Sequence, residues 1–298
     1  MPARVALVND RRWIDPPDPD DYARRILTED ACLAEALERR GARVRRVDWA
    51  DPAVDWGAFD AAVIRQTWDY FERYAAFMRW LDRVADATRV VNPVGVIRWN
   101  AHKRYLVELA AAGVPTVPTR IVERCAEPPS LAELLTEAGR GEVVIKPAVS
   151  GAGRETCRVR PADADALAAT WRRLAQSEDM LVQPFMPAIV ESGEVSVMVI
   201  DGEATHAVRK IAAPGEFRVQ DDHGGTVHPH RPDRAESAVA ERAIAAVPGE
   251  IAYARVDLVA SGDGPVVMEL ELIEPELFFR HCTEAAGRLA ARLLRPAA

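Results

Sequence analysis

With 298 residues, 49% of them hydrophobic and 28% charged, the chain has the balance of a globular protein of two or three packed units. A net charge of −8 argues against a broad basic face for sequence-independent binding to DNA or RNA, and no apolar run approaches the roughly 18–20 residues that span a bilayer. Cys32, Cys125, Cys157 and Cys282 are widely spaced with no CxxC pair, so neither a zinc site nor a disulfide framework is expected, and a cytoplasmic location fits. In chain order, residues 5–8 read as a short buried strand. Residues 29–40 read as a helix: Thr28 offers an N-cap, Glu29 and Asp30 lie in the first turn, Arg39 and Arg40 in the last, and Gly41 follows as a stop. Residues 44–47, 61–64 and 90–91 are further strands, with an aromatic-rich helix at about 71–85 between the last two. Strands alternating with helices imply a parallel sheet.

A helix over 101–112 ends at Gly113 and Pro115. Strand 117–122, helix 130–138, strand 142–147, a glycine loop, strand 156–160 and helix 163–175 make a second, smaller unit. From Met180 strands dominate, at 180–183, 194–200, 204–210, 252–260 and 265–271, with helices near 234–246 and 282–294. Asp201-Gly202 is a strong hairpin signal. The expected class is α/β, becoming α+β in the C-terminal part, with units over 1–95, 96–182 and 183–298.

The segment richest in chemistry lies near the C-terminus. Ala254-Arg255-Val256-Asp257-Leu258-Val259 and Val267-Met268-Glu269-Leu270-Glu271-Leu272 both alternate charged and apolar residues. The turn Ser261-Gly262-Asp263-Gly264-Pro265 joins them as an antiparallel hairpin. A symmetric turn would set Asp257 opposite Glu269 and Arg255 opposite Glu271, all four on one face. Carboxylates opposite each other repel, so positive charge is needed there. A hard divalent cation carrying phosphate as its other ligand is the natural candidate, which points to a nucleotide enzyme. The bland alternative is a strand face in which Glu271 simply pairs with Arg255.

Other pieces point the same way. The strand Glu142-Val-Val-Ile-Lys146-Pro147 runs into Ser150-Gly151-Ala152-Gly153-Arg154. Small residues let backbone N–H groups converge on phosphate oxygens while a lysine supplies charge. The pattern is not GxxxxGK[ST], not a Rossmann fingerprint, and not a kinase, whose glycine loop precedes its lysine. Lys103 opens the second helix and could point at a phosphate. Leu181-Val182-Gln183-Pro184-Phe185-Met186 ends a strand at a proline, as a hinge with backbone groups and an aromatic ring for an adenine would. Glu191 and Glu194 follow, either able to bond a ribose. Lys210 and Arg218 place cations near a glycine-rich loop.

In this order the pieces resemble the ATP-grasp superfamily of carboxylate–amine ligases, which includes glutathione synthetase, D-alanine–D-alanine ligase and the ribosomal-protein glutamate ligases. The order is a lysine-bearing helix, a strand lysine, a glycine loop, a hinge, an acid, Arg-x-Asp and Glu-x-Glu. The resemblance covers roughly 95–280. It implies an ATP-grasp fold with ATP and one or two Mg²⁺ ions. By it, Lys103 and Lys146 contact the phosphates, Ser150, Gly151 and Gly153 cap them, Gln183 and Phe185 hold adenine and Glu194 the ribose. Asp257, Glu269 and Glu271 bind metal, and Arg255, supported by Arg218 and Lys210, stabilises the transferring group. Glu271 departs from the family's usual asparagine, which leaves the number of ions open, and Gln183 from its frequent glutamate. The implied reaction activates a small, amino-acid-like carboxylate as an acyl phosphate that an amine displaces. Residues 254–259 and 268–275 are also similar to single-chain ligases of the O-ureido-serine cyclo-ligase type, in which the attacking nitrogen belongs to the same molecule, a step of antibiotic biosynthesis. A dipeptide- or amide-forming ligase and a non-catalytic nucleotide-binding module are the alternatives. A small-molecule kinase would differ by leaving a stable phosphorylated product. No nucleic-acid or membrane partner is expected, and a homodimer is compatible with the sequence.

Overall fold

A computed structural model of the protein describes residues 1–139, 141–220 and 223–295. Asp221 and Asp222, within the glycine-rich loop expected after Lys210, lie outside the described residues. Strands β1 (Arg4–Asn9), β2 (Arg43–Asp48), β3 (Ala61–Ile64) and β4 (Arg89–Val91) form a parallel sheet in the order β2-β1-β3-β4. Its connections run through α1 (Asp21–Glu38) and α2 (Tyr74–Ala87), as the alternating pattern requires. Helix α1 begins well before the expected position. Asp20, not Thr28, is its N-cap and accepts from the Ala23 N–H. Thr28 lies inside the helix, where its hydroxyl donates to the Arg24 carbonyl (2.8 Å), the local bond by which threonine is tolerated in a helix interior.

The helix expected over 101–112 begins later, as α4 (Tyr105–Ala111), and a separate helix, α3 (Val94–Asn100), precedes it. The break follows from bonds made elsewhere. The Lys103 N–H donates to the Ala148 carbonyl (2.8 Å) and His102 Nδ1 accepts from the Arg104 N–H (3.1 Å). Lys103 therefore projects from an interruption fixed to the glycine loop.

Strands β5 (Arg120–Val122), β6 (Val143–Pro147), β7 (Cys157–Val159) and β8 (Met180–Pro184) form an antiparallel sheet in the order β5-β8-β6-β7. Helices α5 (Leu131–Glu137), closed by a Ser130/Glu133 capping box, and α6 (Ala164–Ser177) cover one face. Val143 and Ile145 point into that core, which leaves Val144 and Lys146 on the other face.

After the short α7 (Ala188–Glu191) comes the largest sheet. It contains β9 (Glu194–Ile200), β10 (Glu203–Ile211), β11 (Thr226–His230), β12 (Tyr253–Ser261) and β13 (Gly264–Glu271), in the order β11-β10-β9-β12-β13. Asp201 and Gly202 both take positive φ between β9 and β10, the turn their sequence announced. Strand β11 and helices α3 and α7 were not expected. Helix α8 (Arg234–Ala245) packs on one face of this sheet, and α9 (Thr283–Leu293) returns to pack against α1.

The β12–β13 hairpin has the expected register by an unexpected route. The turn is two residues long, with Ser261 opposite Gly264, and Leu258 faces Val267. Continued without interruption, that register would set Asp257 opposite Met268. A β-bulge at Met268 shifts it by one, so that Asp257 faces Glu269 and Arg255 faces Glu271. Because side chains alternate, this one extra residue brings both glutamates onto the face of Arg255 and Asp257.

Candidate active site

One face of the large sheet carries the charged groups in register. Lys210 on β10 lies beside Glu194 on β9, Ser196 on β9 beside Asp257 on β12, and Asp257 beside Glu269 on β13. Lys210 Nζ pairs with Glu194 and reaches Asp257 Oδ2 (3.5 Å). Arg255 donates to both oxygens of Asp257 (3.0 and 2.9 Å) and pairs with Glu271. Ser196 Oγ donates to Asp257 Oδ1 (2.5 Å). From outside the sheet, Lys103 Nζ meets Glu269 Oε1 (2.5 Å) and Lys146 Nζ lies 3.5 Å from Glu269 Oε2. Four carboxylates thus stand among four cations contributed by the large sheet, the middle sheet and the break before α4. The repulsion anticipated for the facing acids is met, in the protein alone, by its own lysines and arginine.

Burial alone would raise every carboxyl here, and the local cations decide how far. At Glu269, Lys103 and Lys146 overcome burial and hold the carboxyl down at about 2. At Asp257, Arg255 and Lys210 overcome it and hold the group well below the usual range. At Glu271 burial wins over Arg255, with Asp257 and Glu269 adding repulsion, and the carboxyl rises to about 7. Burial also raises Glu194 against the pull of Lys210 and lowers the Lys146 ammonium.

Two cavities open onto this face. One, of about 800 Å³, lies between the middle and large sheets. It is lined by Lys103, Lys146, Ser150, Gly151, Gly153, Gln183, Phe185, Glu194, Arg218, Glu269 and Glu271, which are most of the residues singled out above. Its inner end is apolar, with Val144, Met186, Ile189, Phe217 and Met268. The other, of about 900 Å³, lies between the large sheet and the N-terminal unit. It shares Lys103, Ser150, Gly151, Glu269 and Glu271 with the first and adds Lys210 and Arg255. Asp257 lines neither cavity; its oxygens are taken by Arg255, Ser196 and Lys210. Glu191 lines neither as well and is exposed.

Three details qualify the hinge and the loop. The Phe185 N–H donates to the Glu142 carbonyl (2.8 Å) and Pro184 has none, so neither amide is free for an adenine edge. The Phe185 ring carries Arg158 on one face, 3.6 Å from its centroid. At the glycine loop, a Cβ on Gly151 would stand 2.7 Å from Phe71 Cε1, so glycine is required for the loop to close against the N-terminal unit. Ser150 Oγ donates to the Arg154 carbonyl (3.1 Å), and Arg154 is anchored on Glu178. Arg218 pairs with Glu216 beside the loop.

Sequence reasoning missed the residues that hold the outer edge of β13. Asn100 Nδ2 donates to the Leu270 carbonyl (2.8 Å), Asn100 Oδ1 accepts from the Leu272 N–H (2.8 Å), and the Tyr105 hydroxyl accepts from the Leu270 N–H (3.1 Å). These bonds occupy an otherwise open strand edge and fix Glu269 and Glu271. It also missed Glu274, although the dense acids after β13 were a signal for it. Tyr22, Trp68 and Phe278, which line the larger cavity, had no local signal because they come from distant segments.

Comparison with known proteins agrees with this geometry. Residues 5–92 match the family model of the D-cycloserine synthetase DcsG N-terminal domain, and residues 114–251 that of the prokaryotic glutathione synthetase ATP-grasp domain. The cycloserine biosynthesis protein DcsG of Streptomyces lavendulae is 33% identical over 88% of this chain and 91% of its own length. A crystal structure of D-cycloserine synthetase DcsG superimposes with a TM-score of 0.85 at 30% identity, covering 98% of each chain. The D-alanine–D-alanine ligase of Bacillus anthracis complexed with ATP shares the fold at a TM-score of 0.68 and 13% identity, over 98% of both chains. The chain belongs to the ATP-grasp ligases. Within that class it groups with DcsG, and it is an ATP-dependent, C–N bond-forming carboxylate–amine ligase.

Proposed function

We propose that the protein closes the ring of an O-ureido-serine-type substrate: ATP activates its carboxylate, its own oxygen-linked ureido nitrogen displaces phosphate as it gives up its proton, and water then removes the carbamoyl group from that nitrogen as carbon dioxide and ammonia. The observation that carries this is Glu269, which faces both cavities and is shared by Lys103 and Lys146. The smaller cavity suits ATP and the larger the acid, so Glu269 stands where the γ-phosphate would meet the carboxylate. In this reading Lys103, Lys146 and Arg218 bind phosphate oxygens and Ser150 to Gly153 close over them. Gln183 and Phe185 border the adenine and Glu194 bonds the ribose. Lys210 and Arg255 neutralise the acyl phosphate. Catalysis is then positioning and charge neutralisation, with the closed loop excluding water from the acyl phosphate. The units 1–95, 96–182 and 183–298 contribute acid-binding wall, phosphate grip and charged floor. We place the protein in the cytoplasm; among the described residues no helix is long and apolar enough to cross a membrane.

Among the described residues, no three acids, histidines or cysteines are already grouped around a common point. The donor chemistry nonetheless fits Mg²⁺: Glu269 and Glu271 present hard oxygens to the cavities, with Asp257 their cross-strand neighbour. When bound, Mg²⁺ would neutralise phosphate charge during transfer. Glu271 makes the fit pH-dependent. Because its carboxyl rises to about 7 and only the ionised form binds a metal, apparent Mg²⁺ affinity should strengthen from pH 6 to pH 8 and level off above. Fluorescence titration with Mg²⁺ in the presence of ADP checks this, and Glu271→Gln should flatten the profile.

The function itself is tested by incubating the protein with ATP, Mg²⁺ and O-ureido-D-serine. ADP, free phosphate and a five-membered cyclic product are expected. A stable phosphorylated acid would make the protein a kinase. ADP release only when a second amino acid is supplied would make it a dipeptide ligase.

A further inference from the structure

The larger cavity contains a carboxyl group that no side chain contacts directly among the described residues. Glu274 follows β13 and is 9% exposed. Its backbone carbonyl accepts from Trp68 Nε1 (3.0 Å), but its carboxyl makes no hydrogen bond or ion pair among the described residues. The neighbouring acids are all matched: Glu194 and Asp257 by Lys210, Glu269 by Lys103, Glu271 by Arg255 and Glu276 by Arg280. Burial, with Glu271 and Glu269 adding repulsion, outweighs the more distant pull of Lys103 and Arg255 and drives the Glu274 carboxyl well above its ordinary range. Ionising a buried acid that faces a cavity without a paired cation is costly, and a cationic ligand offsets that cost.

The rest of the cavity says which cation. Arg255 and Lys210 offer positive charge on the sheet face, while Glu274 offers negative charge on the adjoining wall. Trp68, Tyr70 and Phe278 provide aromatic surface beside it, which also favours a small cation. Opposite charges on two walls of one cavity suit a zwitterion.

We propose that Glu274 binds the α-ammonium group of an amino-acid-like substrate whose carboxylate lies toward Arg255. This rests on the ligase reading above and names the specificity-determining residue of its acid-binding cavity.

The test compares O-ureido-D-serine with its des-amino analogue, 3-(ureidooxy)propanoate, in wild-type and Glu274→Gln protein, following ADP release at saturating Mg²⁺ and ATP. Wild-type protein should prefer the ammonium-bearing substrate, and E274Q should lose roughly 100-fold in kcat/KM for it, through KM, as for one partner removed from a buried charge pair. The analogue's kcat/KM and the KM for ATP should barely change. Because the Glu274 carboxyl makes no hydrogen bond or ion pair among the described residues, E274Q should melt no lower than wild type. An undiminished preference in E274Q, equal losses on both probes, or a destabilised variant would each overturn the assignment. Wild-type protein that binds ATP but turns over neither probe would instead count against the ring-closing reading. Calorimetry of D-serine and D-alanine with Mg²⁺- and AMPPNP-loaded protein then decides for Glu274. Binding that E274Q abolishes supports it, and binding that is absent, or unchanged in E274Q, overturns it.

Discussion

Replacing Glu269 with glutamine is expected to lower ATP turnover by roughly a thousand-fold, the scale of losing one preorganised charge at a developing transition state. Among the described residues, no other carboxylate pairs with both Lys103 and Lys146 while facing both cavities. Glutamine keeps the size and one acceptor but supplies no charge for the lysines or a metal. The two buried ammonium groups would then face each other without their shared carboxylate, so thermal stability should fall as well. Steady-state ADP release, with circular dichroism as the check on folding, measures both. Turnover within tenfold of wild type would remove Glu269 from the chemistry.

Arg65→Met should produce the largest loss of stability, about 3–5 kcal/mol, because it strips the partner from two buried acids at once. Arg65 is 0% exposed, with Nε donating to Asp30 (3.2 Å) and a terminal nitrogen to Glu29 (3.2 Å). Glu29 also accepts the backbone N–H groups of Leu277 (2.7 Å) and Phe279 (2.8 Å). It therefore suspends the segment that carries Phe278 and Glu276 in the cavity wall, and the variant's KM for the acid should rise along with the loss of stability. Urea denaturation reads the stability, and adding Glu29→Gln should restore part of it. The pH dependence has a defined sign. Burial, opposed by Arg65, raises Glu29 to about 7, so the folded state holds a proton that the unfolded chain releases near 4.5. Its contribution to stability is complete below that lower value and is lost as pH rises toward 7. Without Arg65 the folded-state value climbs further, so the variant should be markedly weaker at pH 8 than at pH 5.5.

The sequence carried the chemistry better than the path of the backbone. Facing charges on two alternating strands, a strand-end lysine and a glycine loop were all visible, because each is a local pattern whose period or composition has a physical reading. The register of Asp257 against Glu269 also emerged, but from an assumed symmetric turn, whereas a two-residue turn and a bulge at Met268 produce it. A bulge leaves no composition cue when the extra residue is an ordinary apolar one. The late start of the helix expected over 101–112 was hidden because residues 101–104 are helix-compatible, and bonds to Ala148 and His102 hold them out of it. The Asp20 cap directly follows the prolines at 16, 17 and 19, residues that commonly mark loops, whereas Thr28 stands just before two acids and so looks like a cap. The role of Asn100 depends on two backbone groups about 170 residues away, a relation that no window of sequence contains.

The packing of α9 against α1 sets an order of assembly. Leu33, Ala36 and Leu37 near the start of the chain share one core with Leu277, Phe278, Phe279, Leu289 and Leu293 near its end. A ribosome releasing this chain cannot finish burying the outer flank of the first sheet until residues 277–293 have emerged. The wall carrying Phe278 is completed at the same moment, so a truncated product would expose that flank and lack a finished acid-binding chamber. Quality control that recognises exposed apolar surface would thereby also remove chains unable to choose their substrate.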